Sequence, residues 1–304
     1  MKRTLMGWIT LSLALLLLAG CGSEQAAAEP SQASQPPSTP VDPDSNNPPP
    51  APEPDMQQDY IDRVVQDTIA KFTEPGMGEY EKAKAAFDYI IETTHFLEPV
   101  GLDLWRIRGD YKAPPSFVEN RSLSVLLFNI GKCEDYAAAL TLLLRGMGIE
   151  AEYVPGLTYS AAGTGLVDHS WTVAKIDGTW YHLDCQLEAN ISKRGTIRYR
   201  YFMRGDSLVA SHRWGQNLID TGLLTPEQNA ELARDFIAPV CPVDYPTPEP
   251  RSFTATSEPN VLAITTDIEA EFRAYELTNG PLAPIDLPIV PPVFGYEGYG
   301  DPNS

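Results

Sequence analysis

Three residues in this chain have the types and the order that turn a thiol into a nucleophile: Cys133, His169 and Asp184. Cys133 opens the run "GKCEDYAAAL", at the mouth of a stretch of helix formers. A cysteine there can be a small buried hydrophobe, half of a disulfide, or a nucleophile. A thiol attacks an amide or ester only as thiolate, and the unsatisfied N–H groups of a helix start favour that anion. Glu134 and Asp135 oppose it unless their side chains face away from the sulfur. The decisive help would be an imidazolium, and His169 is the candidate, with Asp184 placed to hold its ring and tautomer.

The elements around these residues must bring them together. In "DHSWTVAKIDGTWYHLDC", Asp177-Gly178 is a two-residue type I′ hairpin turn between flanks rich in β-branched and aromatic residues. That turn predicts pairs Ile176 with Thr179, Lys175 with Trp180, Val173 with His182, Trp171 with Asp184, and His169 with Gln186. His169, Trp171, His182 and Asp184 then share one face, with Cys185 on the other. Asp184 becomes the diagonal neighbour of His169, roughly 7–8 Å away between backbones, within side-chain reach. Trp171 is placed to cover the site. His182 lies farther along the hairpin and reads as structural, while His95 and His212 have no evident partners.

Upstream, "DYIDRVVQDTIAKF" and "EYEKAKAAFDYIIETTHF" repeat apolar residues at helical spacing. "LEPVGLDLWRIRGDYKAPPSF" reads as irregular connection and "SLSVLLF" as a short helix. "CEDYAAALTLLLRGMG" is the helix that carries Cys133, closed by Gly146 and Gly148. "IEAEYVPGL" is the first strand, and "RYRYFMRGDSLVASHRW" reads as a strand and a short helix. "TPEQNAELARDFI" is a helix capped by Thr225, and "DIEAEFRAYELTNG" a docked helix in the tail.

The ends of the chain speak of location. Residues 1–20 run from Lys2 and Arg3 through an apolar stretch to small residues, the order of an export signal. The ending "LAGC" resembles a bacterial lipobox, which implies lipidation at Cys21. Residues 21–55 are rich in Pro, Ser and Ala, without Lys or Arg. Lacking the apolar residues to offset ordering entropy, they read as a disordered tether of on the order of 100 Å at ~3.1 Å per residue. Residues 56–245 have the size of one domain with a core, and 246–304 form an acidic, Pro-rich, partly disordered tail. The expected address is extracytoplasmic, a membrane-anchored lipoprotein at the cell surface or in the periplasm. The net charge of -19 excludes a phosphate-backbone binder.

Of four cysteines, Cys21 is taken by lipid, which leaves Cys133, Cys185 and Cys241 in an oxidising compartment. An odd number means a free thiol or a bond between chains, and a Cys185–Cys241 disulfide with Cys133 free fits the arithmetic. The spacing of His and Cys suggests no metal, and no cofactor is expected.

"GKCEDYAAALTLLLRGMGIEAEYVPG" followed by "DHSWTVAKIDGTWYHLDC" resembles the transglutaminase-like superfamily, whose motifs run G-x-C-x-x-[YF]-A, H-[AS]-W and W-Y-x-x-D. The likeness covers about Tyr80 to Trp214. It implies a papain-like α+β fold, N-terminal helices with the nucleophile at a helix start packed on an antiparallel sheet. It implies Cys133 as nucleophile, His169 as base and Asp184 as orienting acid. The Cys133 N–H is one oxyanion donor, with Asn129 or Trp105 as candidates for the other. The chemistry implied is attack on a carboxamide to give a thioester, completed by water or by an amine. The partners expected are a protein or peptide substrate, cell-wall associated where the tether carries the domain there, and the membrane through its lipid. The alternative is a non-catalytic surface binding or assembly module on the same fold. Arylamine N-acetyltransferases use a similar Cys, His, Asp order, but export separates this chain from acetyl-CoA.

Overall fold

The helix that Cys133 opens is the post around which the domain is built. In the computed structural model, which describes residues 56–108, 115–160, 163, 165–193, 195–215 and 238–283, it runs Cys133–Gly146 and is buried along most of its length. Its Ala and Leu residues leave little side chain to clash, so elements can close on it from several sides. Numbered in chain order, α1 (Met56–Ile69), α2 (Glu79–Thr93), α3 (Trp105–Arg108) and α4 (Phe117–Phe128) precede it, making it α5. The apolar positions expected on α2, Ala83, Ala86, Phe87, Ile90 and Ile91, are those it buries. Helix α4 starts earlier than the apolar run suggests, because Ser116 and Glu119 form a capping box.

Two short strands, β1 (His95–Phe96) and β2 (Ile130–Gly131), pair in parallel just before Cys133. They fix the loop that leads into Cys133. The Tyr136 hydroxyl donates to the Thr94 carbonyl at 2.9 Å, tying the first turn of α5 to the same place.

The main sheet holds β3 (Ala151–Tyr159), β4 (Leu166–Ile176), β5 (Thr179–Leu183) and β7 (His212–Arg213), in the antiparallel order β5-β4-β3-β7. Asp177 and Gly178 both take positive φ, as a type I′ turn requires. The expected pairs Ile176–Thr179, Lys175–Trp180 and Val173–His182 are observed. Pairing then stops at Thr172–Leu183, so the expected Trp171–Asp184 and His169–Gln186 pairs do not form. Asp184 instead donates its N–H to the Tyr201 carbonyl and caps a new helix, α6 (Cys185–Ser192).

Both faces of β4 are buried. Ala174 and Ile176 join α1, α2, α4 and α5 in the larger apolar cluster, whereas Trp171 and Val173 pack with Val154, Leu208, Trp214 and Cys241 in a second one. Thr172, on the helix side, donates to the Ala137 carbonyl at 3.0 Å and meets Thr141 Oγ1 at 3.0 Å. These bonds pin α5 lengthwise against β4.

The stretch expected as a strand and a helix gives one isolated bridge, Arg204 with His182, then a 3₁₀ turn over Asp206–Ala210 and β7. Past Tyr245 the chain keeps pairing with the domain. Strand β8 (Arg251–Ser252) joins β6 (Thr196–Ile197), Arg251 pairs with Asp88 and Glu92, and Thr256 bonds His95. Helix α7 (Val261–Asn279) buries no residue and is fastened to α3 by the Arg108–Glu271 ion pair. None of the described helices is long and apolar enough to cross a membrane. The signal, Cys21, the tether and the helix expected at Thr225 lie outside the described residues.

Thr172→Val keeps the shape and removes the hydroxyl that links α5 to β4. Leaving Thr141 without its buried partner should cost about 1–3 kcal/mol in urea denaturation. A variant as stable as wild type would show that apolar packing alone sets the helix position.

Candidate active site

Cys133 is the first residue of α5, its N-terminal N–H groups unclaimed by the helix. The two acids that follow turn away from it. Arg121 holds Glu134 at 2.7 Å and Asp135 at 2.9 Å, and Asp135 Oδ2 also accepts the Lys132 N–H at 2.8 Å. Burial pushes the Asp135 carboxyl up to about 7, against the pull of Arg121 and the Lys132 N–H. The acids therefore serve the helix cap and the arginine rather than crowding the sulfur.

His169 and Asp184 meet despite the early end of the hairpin. His169 Nε2 lies 2.6 Å from Asp184 Oδ2, with both side chains almost fully buried. Burial opposes charge on the imidazole, but the Asp184 carboxylate and its hydrogen bond, together with the Cys133 thiol, raise it to about 10. With Nε2 committed to Asp184, the nitrogen left for the sulfur is Nδ1. Burial likewise opposes charge on Asp184. His169 and then His212 outweigh it, holding the carboxyl far below its usual range. The cap contributes too, since the Leu187 N–H donates to Asp184 Oδ1 at 2.9 Å. The three residues read from the sequence are thus brought into one group.

His212 was expected to be without a partner and is not. Its Nε2 lies 2.9 Å from the same Asp184 Oδ2, and its Nδ1 lies 2.8 Å from Ser211 Oγ. Strand β7 puts it there by pairing with the far edge of β3, a contact with no local pattern to announce it. His95, also read as unpartnered, lies 3.2 Å from Thr256.

Trp171 stacks beside His169, with ring centroids 6.1 Å apart and planes at 24°. Gly156, paired with His169 across β3 and β4, makes room for it. A Cβ at Gly156 would stand 2.6 Å from the Trp171 ring and 2.3 Å from the Arg213 carbonyl. The indole N–H donates to His182 Nδ1 at 3.0 Å, and His182 Nε2 lies 3.2 Å from Asp206. His182 therefore orients the tryptophan, and burial lowers its own value to about 4, keeping it neutral.

Among the described residues, two trios of side chains gather their donor atoms within 4.8 Å: His169, Asp184 and His212, and His182, Asp206 and Cys241. The first is bound up in its own hydrogen bonds. In the second, the donor-only indole occupies His182 Nδ1, so Nε2 carries the proton and offers no lone pair to a cation. Cys133, Cys185 and Cys241 are all free thiols. The expected Cys185–Cys241 bridge does not form, because the two sulfurs sit in different apolar clusters. Burial and the neighbouring Asp184 push the Cys185 thiol up; burial and Asp206 push Cys241 up to about 12. Of the two candidates for a second oxyanion donor, Asn129 ends α4 in a left-handed conformation with its carbonyl accepting from His95, and Trp105 is buried in α3.

The buried pair defines a pH window for stability. His169 is raised from 6.5 to about 10, so its contribution is complete below ~6.5 and lost as pH rises through about 10. Asp184 is lowered from 3.8, so its contribution is present above ~3.8 and lost as pH falls through the lower folded value. His169→Ala should therefore cost most stability between pH ~4 and ~6.5, the gap from wild type narrowing towards pH 10. Urea denaturation across that range checks it, and an equal cost at pH 5 and pH 10 would count against the charged pair.

Comparison with known proteins bears on the same segment. Residues 66–185 match the model of the Transglutaminase-like superfamily, while no curated protein matches the chain. Among solved structures, a protein from Cytophaga hutchinsonii assigned as a cysteine protease is 20% identical, over 43% of this chain and 38% of that one, with a TM-score of 0.29. An arylamine N-acetyltransferase from Bacillus cereus, described with a Cys-His-Glu triad, is 16% identical over 43% and 50%, with a TM-score of 0.31. The matches span half or less of those chains. Residues 66–185, which hold Cys133, His169 and Asp184 in order, are thus the part of this chain that is similar to the transglutaminase-like superfamily.

Proposed function

We propose that this chain is an exported, membrane-anchored thiol enzyme that acts on amide bonds through Cys133, His169 and Asp184. The observation that carries the reading is the His169 imidazole, bonded to buried Asp184 on one nitrogen and partnered by Cys133. The thiolate attacks the amide carbonyl, and the Cys133 N–H at the helix start faces the oxyanion. His169 gives its Nδ1 proton to the leaving amine as the C–N bond breaks, leaving a thioester. Water then attacks for a peptidase or amidase, or a second amine for a cross-linking transamidase. In either case His169 takes the proton of the incoming group and the thiolate leaves. The export signal and lipobox-like "LAGC" support a substrate outside the cytoplasm, a protein or peptide within reach of the tether.

One observation favours a second reading, a binding or assembly module with an idle triad: Cys133 is only 2% exposed. On that reading the domain would hold a wall polymer or a protein equally well with and without the thiol.

Alkylation of Cys133 by iodoacetamide, read by peptide mass spectrometry, separates the two. An isolated thiol, with an ordinary value near 8.5, is nearly all protonated at pH 6–7. Wild type should react readily there, and His169→Ala at least ~10-fold more slowly. Cys133→Ala should abolish turnover with an unchanged circular dichroism spectrum. Identical profiles for wild type and His169→Ala would transfer support to the binding module. Anchoring is checked by labelled fatty acid, which should enter wild type and not Cys21→Ser; equal labelling would refute it.

A further inference from the structure

We propose that His212 is a positioning residue of the Cys133–His169–Asp184 site, a neutral imidazole that locks the carboxylate of Asp184 towards His169. The inference rests on the catalytic reading above and adds a residue from outside the matched segment 66–185. Its basis is geometric. One oxygen, Asp184 Oδ2, meets two imidazoles, His169 Nε2 at 2.6 Å and His212 Nε2 at 2.9 Å, and both histidines are buried. The other oxygen, Oδ1, accepts the Leu187 N–H at 2.9 Å. The carboxylate is thereby held from three directions, by β4, β7 and the first turn of α6.

Two imidazoles on one buried carboxylate cannot both carry charge, because a second cation would lie unpaired in a low-dielectric site. The surroundings decide which one does. His169 has the shorter bond and the Cys133 sulfur on its far side. His212 has burial against it, with the charges of His169 and Arg213 adding to the effect, and its value is lowered although Asp184 pulls the other way. Tyr201, whose ring lies 5.7 Å away, is itself raised by burial, Asp184 and Glu188, so it stays neutral. His182, nearby in charge terms, is lowered as well. His212 is therefore the neutral donor and His169 the cation. With Nε2–H directed at Asp184, Nδ1 is the acceptor, and Ser211 Oγ lies 2.8 Å from it to supply the proton.

The consequence is directional. Asp184 holds His169 by a single oxygen, and a carboxylate held only at Oδ1 could pivot about its χ2 bond and carry Oδ2 off the imidazole. The second donor on Oδ2 blocks that pivot. His212 acts on the sulfur only through Asp184 and His169, and it needs to touch no substrate to do so. Its ring also stands edge-on against Trp171, 4.9 Å between centroids at 83°, so the residue that stacks on His169 leans on the one that steadies its acid.

Two variants of matched polarity test this. In His212→Gln the amide nitrogen reaches the place of Nε2 and can donate to Asp184; in His212→Asn it stops about one bond short. The readout is the rate of Cys133 alkylation by iodoacetamide from pH 5 to 10 on the full chain, beside wild type and His169→Ala. His212→Gln should keep the wild-type profile within about twofold. His212→Asn should lose at least ~10-fold at pH 6–7 and approach His169→Ala, with both variants showing the wild-type circular dichroism spectrum. If His212→Gln and His212→Asn both match wild type, or both lose reactivity equally, the positioning role is overturned while the catalytic reading stands. If wild type and His169→Ala already coincide, it is the catalytic reading that fails. Should His212→Asn not fold, Ser211→Ala takes its place. Without the hydroxyl that fixes the tautomer, it should slow Cys133 at pH 6–7 by a few-fold, and a wild-type profile would overturn the proposal.

Discussion

A carboxylate buried in a protein must be surrounded by donors or give up its charge, and Asp184, 1% exposed, is held in its charged form. Desolvation of such an ion costs several kcal/mol, which only close, well-aimed partners offset. The partners come from separate parts of the chain: His169 from β4, His212 from β7, and the Leu187 N–H from α6. Holding one charge thus ties together three separate elements of the chain. Carboxylates also bear on the two thiols outside this group. Burial alone drives a thiol towards its neutral form, and Asp184 adds to that at Cys185, while Asp206 does so at Cys241. The His169 imidazole stands between Cys133 and the Asp184 carboxylate.

Around this charge the remaining polar groups behave as fixed dipoles. The indole of Trp171 can only donate, so His182 must accept at Nδ1 and donate at Nε2 towards Asp206. That chain of three assigns each proton without ambiguity and sets the plane of the ring that stacks on His169. Gly156 belongs to the same arrangement. Any side chain there would push the indole off its place or part β3 from β7, which carries His212. A backbone position with no side chain thereby shapes the site as much as the residues that line it.

The sequence disclosed what local rules govern. Asp177-Gly178 demanded one turn, the turn set a register, and that register holds from Ile176–Thr179 to Thr172–Leu183. The apolar stripe of α2 was readable residue by residue. The register failed where a second local preference took over. Asp184 is a good N-cap, and "CQLEANIS" closes into a helix beyond it. The carboxylate still reaches His169, though as a cap rather than as a strand neighbour. His212 escaped notice for a different reason: a two-residue strand on a sheet edge has no periodicity, and its partner Asp184 lies 28 residues away. The cysteine count misled because redox compartment says which bonds are permitted, whereas packing decides which sulfurs meet. Cys185 went with the helices and Cys241 with the tryptophans.

The acids beside Cys133 follow from the same competition between charge and place. At a helix start, acidic side chains are favourable to the helix, and next to a thiolate they are unfavourable to the chemistry. The fold separates the two effects by direction. Arg121, from α4, reaches both Glu134 and Asp135, and Asp135 closes back on the Lys132 N–H as a cap. Asp135 is buried so completely that its value rises to about 7, which lessens the negative charge it keeps near neutral pH. What remains at the first turn is the positive end of the helix, and Cys133 is the residue that stands in it.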